Sequence, residues 1–318
     1  MNIFNQLVLW MIFFVVIILT FLCSNYIQIK YFYTLNTLKK SYFFLLFWIF
    51  STFIFTFLIW IYYFLYFNQN IANTILTSFF LSFGIEQILS LDNVLIWILL
   101  FKYFMIPINY QKKVLMYGIL VSFIFRMLLI LISYWFILRW NWIIFIFGII
   151  LLFSGIEMLL VHKNNDKKSF KKDIFFLLLV KIFRITNRLY GDKFFVYKEK
   201  FLYITPLLVS LIMIEISDII FAVDSVPIIL SFVQNLFIVI SSNIFSILIL
   251  RSIYFILSNF IYKRKYIQYI LSIMIIIISL NIIFSNYIYV LENMTSVIIT
   301  IIFMILLIYN FSIKNIFT

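Results

Sequence analysis

Residues 215–225 read EISDIIFAVDS: three carboxylates, Glu215, Asp218 and Asp224, in a stretch that is otherwise almost wholly apolar. Residues 86–93 read EQILSLDN, where Glu86 and Asp92 repeat the six-residue spacing of Asp218 and Asp224 in a second apolar segment. What these acids do depends on what surrounds them. The 318-residue chain is 66% hydrophobic and 11% charged, with a mean hydropathy of +1.17. Soluble domains carry about 25% charged residues. So much apolar surface does not fit in one water-soluble core. The chain therefore reads as an all-α polytopic membrane protein.

Apolar runs long enough to cross a bilayer fall at roughly 5–27, 42–66, 74–101, 114–137, 141–161, 201–224, 237–259, 266–284 and 295–313, which predicts about nine transmembrane helices. The charges between them alternate. The loops after the first, third, fifth and seventh runs, with the C-terminal tail, hold 21 of the 24 Lys and Arg residues. The opposite loops hold only Arg139, and Arg126 and Arg251 lie within runs. Basic loops face the cytoplasm, so the N-terminus is expected outside and the C-terminus inside. Residues 5–27 lack a basic leader and a small-residue cleavage site and read as a retained span. The net charge of +13 is thus explained by cytoplasmic loops and not by nucleic acid.

The expected organisation is two N-terminal helices (1–70), a three-helix unit (71–161), a basic linker (162–200), a second three-helix unit (201–284) and a C-terminal helix (285–318). Within the linker, KKDIFFLLLVKIFRITNRL (171–189) mixes apolar residues with Lys181, Arg184 and Arg188. It reads as an interfacial helix on anionic lipid. A tenth span is the rival reading, and it would break the charge alternation.

Eight charges fall inside the predicted spans; Glu157, at the inner end of the fifth, is expected to reach water, which leaves seven buried: Glu86, Asp92, Arg126, Glu215, Asp218, Asp224 and Arg251. Each costs roughly 2.5–3.5 kcal/mol at mid-bilayer, on the order of 20 kcal/mol if all are unpaired. They must face one another, water or an ion. Two arginines leave three acids unmatched, so protons or a metal cation are needed to complete the balance. With one Cys (Cys23) and one His (His162), no Cys/His zinc or copper site can form. Oxygen-only ligation suits Mn, Mg or Ca.

The acids also form a repeat. Glu86, Asp92 and Asn93 open one unit, and Asp218, Asp224 and Ser225 open the other; each unit then carries one arginine in its next helix. The two units run in opposite directions through the membrane, the inverted arrangement that places a site at the midplane. Six residues on a regular helix turn about 600°, or 120° off a common face. Together with Pro227, this predicts discontinuous helices whose freed carbonyls join the carboxylates. Ser241, Ser242 and Asn243 add neutral oxygens.

These residues carry a resemblance. GIEQILSLDNVLIWILLFKYFMIPINYQKKVLMYGIL, FGIILLFSGIEML, YGDKFFVYKEKFLYITPLL, EISDIIFAVDSVPIIL and FIVISSNIFSILILRSIYF resemble the TerC family of tellurium-resistance membrane proteins, in particular its Alx branch, over about 75–284. The resemblance implies a bacterial inner-membrane protein with two inverted three-helix halves. It implies a part in metal-ion homeostasis, mainly manganese export, with the ion as cargo and no permanently bound cofactor. It implies an ion site at Glu86, Asp92, Asn93, Glu215, Asp218, Asp224 and Ser225, supported by Ser242 and Asn243. Departures from relatives are Gln87 and Glu157, where Lys is common, Ile249, where Gly is usual, and the region of Asn281, where a Lys is missing.

No nucleophile motif, P-loop, dinucleotide fingerprint or HExxH is present, so no enzymatic activity is expected. Two readings stand. One is a secondary exporter of divalent cations. The other is a non-transporting membrane assembly or stress-response protein, in which the acids are salt-bridge partners of Arg126 and Arg251. Either way the arginines read as structural or gating partners and not as cation ligands.

Overall fold

The computed structural model describes residues 3–31, 37–140, 142–160, 181–186, 188–198 and 201–258, with short helical pieces at 272–273, 275–280 and 282–283. In hydrocarbon no water satisfies the backbone, so apolar runs close their own hydrogen-bond ladders as helices. They form α1 (Ile3–Tyr31), α2 (Thr37–Tyr66), α3 (Gln69–Tyr103), α4 (Ile108–Arg139), α5 (Trp142–Leu160), α6 (Pro206–Phe232) and α7 (Leu236–Leu257). Six of these are long and apolar enough to cross a membrane, all but α5, which has a shorter apolar core at Ile144–Ile156. The expected span at 266–284 is helical where it is described; the one at 295–313 lies outside the described residues.

Burial ranks the helices. The apolar window of α7 is 94% buried and that of α3 76%, against 22% for α1 and 28% for α4. The first pair forms the centre. α7 packs on α3, α2 and α4, while α6 packs on α4, α3 and α5. One side of α7 is welded by aromatic rings. Phe55 of α2 meets Phe245 at 4.9 Å, and Trp10 of α1 meets Phe237 edge-on at 5.1 Å. Such pairs add about 0.5–1.5 kcal/mol each beyond their area. The other side of α7 is polar and is described below. Leu46, Phe50, Phe53 and Phe57 of α2 stay exposed, as suits an outer face meeting acyl chains.

Three expectations are corrected. First, α6 does not begin at 201. Residues 195–198 and 201–204 pair as an antiparallel hairpin, β1 (Phe195–Lys198) and β2 (Phe201–Ile204), with Phe195 opposite Ile204. Thr205 then ends the strand, and Pro206, whose missing N–H costs nothing at a helix start, opens α6. Second, the interfacial helix does not reach 189. Residues 171–180 lie outside the described residues, but beyond Ile182 the chain leaves the helix. The N–H of Thr186 donates to Ile204 O at 3.0 Å, and that of Ile204 to Arg184 O at 2.9 Å. β2 thus captures this segment as an edge. Third, α3 and α6 are unbroken, α6 even through Pro227.

The hairpin region is tied to α4. Lys113 Nζ donates to Asp192 Oδ2 at 2.7 Å and to Asp192 O at 2.8 Å, and lies 5.4 Å from the centre of the Phe194 ring. The Lys113 hydrogen bond, then its charge, hold the Asp192 carboxyl below its ordinary range. The tether therefore stays charged above that range and is lost only as pH falls through it.

α3 ends in a left-handed cap. Ile106 N–H donates to Phe101 O at 3.0 Å and Met105 N–H to Lys102 O at 3.2 Å, with Met105 at φ 51°. Glycine normally fills this position. The Met105 side chain is 84% exposed and contributes little packing. Met105→Gly is expected to raise stability by about 0.5–1 kcal/mol, read as a higher Tm in detergent. A lower Tm would show that Met105 contributes contacts outweighing the strain.

A candidate ion site in the helix interior

The unbroken α3 sets the site. Position 92 lies about 120° around the helix from position 86, whereas a seven-residue step returns to within about 20°. The buried face carrying Glu86 therefore continues through Ser82, Ser90, Asn93 and Trp97. α4 presents Gly118, Ser122 and Arg126 at four-residue steps on its buried stripe. α6 contributes Glu215, Asp218 and Ser225, and α7 contributes Ser242, Asn243, Ser246 and Arg251, all buried.

These side chains form two linked groups. In the first, Glu86 is fully buried and pairs with Arg126. Ser90 Oγ donates to Glu86 Oε1 at 2.5 Å. Arg126 Nη1 also donates to Asn243 Oδ1 at 2.9 Å, and Nη2 to Ser90 Oγ at 3.3 Å. In the second, Ser122 Oγ is 2.8 Å from Glu215 Oε2 and 3.5 Å from Asp218 Oδ2. Trp97 Nε1 donates to Asp218 Oδ1 at 2.9 Å. Arg251 Nη2 approaches Glu215 Oε1 at 4.0 Å and donates to Ser122 Oγ at 3.4 Å, while the guanidinium carbon lies 5.6 Å from the Trp97 ring centre. Ser122 and Arg126, one turn apart on α4, join the two groups.

Several oxygens remain without a hydrogen-bond partner among the described residues: Glu86 Oε2, Asn93 Oδ1, Glu215 Oε1 and Ser225 Oγ. A buried acceptor left unpaired costs about 1–3 kcal/mol. Asp92 and Asp224 lie within α3 and α6, and their side chains fall outside the described residues. Among the described residues, no three of His, Cys, Asp and Glu gather closely enough to hold a metal ion. Glu86 is held apart from the Glu215–Asp218 pair by its arginine, and the freed carbonyls expected from discontinuous helices are absent because α3 and α6 run unbroken.

Sequence reading missed Trp97, Ser122 and Gly118, and offered Ser90 with Asn93 only as partners for a loosened α3 backbone, whereas Ser90 binds Glu86 and Arg126. Their signal was the spacing 86–90–93–97 and 118–122–126, the stripe of one helical face. At Gly118, α4 passes directly against the second group. A Cβ there would collide with Glu215 Oε1 and lie 3.1 Å from both terminal nitrogens of Arg251. Gly118→Ala is expected to lower stability by about 1–3 kcal/mol by forcing the pair apart. Thermal unfolding in detergent checks this; an unchanged Tm would mean that the pair has slack. Of the expected departures from the family pattern, Gln87 bridges α3 and α7, donating to Ser246 Oγ at 2.9 Å and Ser246 O at 3.1 Å. Ile249 is buried. The Glu157 side chain and Asn281 lie outside the described residues.

Apolar helices wrapped around buried acids and arginines define a multi-pass membrane protein with a polar interior. The chain belongs to the integral membrane protein TerC family, whose sequence model matches residues 71–316. It is 39% identical over 211 residues to "Putative membrane-bound redox modulator Alx" of Photorhabdus laumondii, covering 66% of this chain and 65% of that protein. It is 36% identical over 214 residues to the protein of the same name in Escherichia coli, covering 67% of this chain and 66% of the relative. It is 36% identical over 279 residues to an "Uncharacterized membrane protein" of Buchnera aphidicola, covering 86% and 88%. No solved structure matches the chain.

Proposed function

We propose that the protein is a secondary exporter of a divalent metal cation, manganese first, in the bacterial inner membrane, built as two inverted three-helix halves. The observation that carries this reading is the excess of five acids over two arginines inside the membrane, together with buried oxygens that lack partners. In the arrangement described, Arg126 and Arg251 occupy the carboxylates. An entering divalent cation competes for the same oxygens, so the arginines act as built-in counter-ions that offset part of the acids' charge when the site is empty, protons supplying the rest. Glu86, Asp92, Asn93, Glu215, Asp218, Asp224 and Ser225 are the ligand candidates. Hard oxygen donors favour Mn²⁺ or Mg²⁺ over Zn²⁺ or Cu²⁺. The alternation of basic loops along the sequence supports a cytoplasmic C-terminus.

Titration calorimetry of purified protein with MnCl₂ tests the binding half of this reading. Saturable binding to wild type, weakened in Asp218→Asn, is expected. Equal heats for the two proteins would remove Asp218 from the site.

A second reading is a non-transporting membrane assembly or stress-response protein, the acids serving as interhelical staples. The direct Glu86–Arg126 pair favours it. The relatives' printed name, redox modulator, points to a third role; with one cysteine, a single chain has no dithiol to support it.

A further inference from the structure

A cavity of about 130 Å³ lies among α1, α2, α4 and α7, at the end of the bundle carrying Lys40 and Lys112. That is room for far more than one water. Its charged lining is Lys40, Lys112 and Arg251, with no acid among the lining residues. Arg251 is 6% exposed, and its Nε and Nη1 have no hydrogen-bond partner among the described residues. Its Nη2 is turned towards Glu215, so the guanidinium stands between the acid network and the cavity. Three positive groups repel a metal cation. This cavity is therefore not the cation's path and needs an anion. Its walls include Phe44, Trp48 and Leu248, and Met116, 48% exposed, connects it to the outer apolar face of α4.

We propose that this cavity binds an anionic membrane phospholipid, its phosphate between Lys40 and Lys112 and facing Arg251, with an acyl chain along the apolar wall. Basic recesses between membrane helices take anionic headgroups by charge and by displacing ordered water. The apolar walls and the opening at Met116 favour a lipid over free phosphate. The proposal is independent of whether a cation is transported.

The test is thermal unfolding of purified, delipidated protein with added phosphatidylglycerol, phosphatidylcholine or inorganic phosphate. Wild type, the double variant Lys40→Gln/Lys112→Gln and the double variant Lys40→Arg/Lys112→Arg are compared. Phosphatidylglycerol is expected to raise the wild-type Tm by about 3–6 °C. The arginine variant should keep that shift and the glutamine variant lose most of it, with phosphatidylcholine and phosphate ineffective. An equal shift from phosphatidylcholine would overturn the proposal as general lipid solvation. A full shift from phosphate alone would make this a free-anion site and overturn the lipid assignment. An undiminished response in the glutamine variant would remove the lysines from the site. If the double glutamine variant does not fold, the single variants Lys40→Gln and Lys112→Gln are each expected to lose part of the shift, and an undiminished response in both would overturn the proposal.

Discussion

Arg126→Met should destabilise the folded protein by about 3–5 kcal/mol, the usual effect of removing one partner of a buried ion pair. Arg126 is 5% exposed and is the direct partner of a Glu86 with no exposure at all. Methionine keeps much of the apolar stem but leaves Glu86 with only the Ser90 hydroxyl, and leaves Asn243 Oδ1 without its donor. The carboxylate must then take up a proton or draw water into the core. Adding Glu86→Gln to the same chain removes the uncompensated charge, and most of the stability should return, because removing both partners of such a pair is close to neutral. Denaturant titration in detergent of wild type, the single variant and the double variant reads the coupling. A loss below about 1 kcal/mol in Arg126→Met would mean that Glu86 is already neutral or otherwise compensated.

Trp97→Ala should cost about 3–5 kcal/mol as well, for a different reason. Trp97 is 2% exposed and stands where three functions meet. Its indole N–H donates to Asp218, its ring faces Arg251, and it packs at 6.3 Å from Tyr254. Truncation opens a cavity beside two charged groups. Trp97→Phe separates the terms, since it keeps most of the ring and removes only the donor. About 1–3 kcal/mol is expected there. If Phe and Ala variants lose the same amount, the hydrogen bond dominates; if Phe is silent, Asp218 does not depend on the indole. In both variants Asp218 loses a fixed partner, so Mn²⁺ affinity should change along with stability under the proposed export function.

The positions of the six described spans were legible because a bilayer imposes one rule on every apolar run. Their ends were less so. α3 extends from Gln69 to Tyr103 and α4 from Ile108 to Arg139, beyond the apolar windows at 74–101 and 114–137, because helical hydrogen bonding continues into polar termini that hydropathy does not count. The start of α6 was misplaced because FLYI at 201–204 is as apolar as a span, and only strand pairing with Phe195–Lys198 tells them apart. Within the site, the charged residues stood out against an apolar background, and the Glu86–Arg126 and Glu215–Arg251 partnerships fit the expectation that buried charges pair. The six-residue spacing misled in one respect. It suggested broken helices, whereas α3 stays regular and builds its polar face at steps of three and four. Ser122, Gly118 and Trp97 carry no charge, and their importance comes from the neighbours that packing brings to them.

The most direct measurement is Mn²⁺ flux into proteoliposomes holding purified wild type, Asp92→Asn or Asp224→Asn, each checked for folding by its unfolding transition. Export through buried carboxylates predicts flux above the protein-free background for wild type and background flux for both variants. Background flux in all three, with wild type folded, would contradict transport and leave the acids as the internal ion-pair partners of a membrane scaffold.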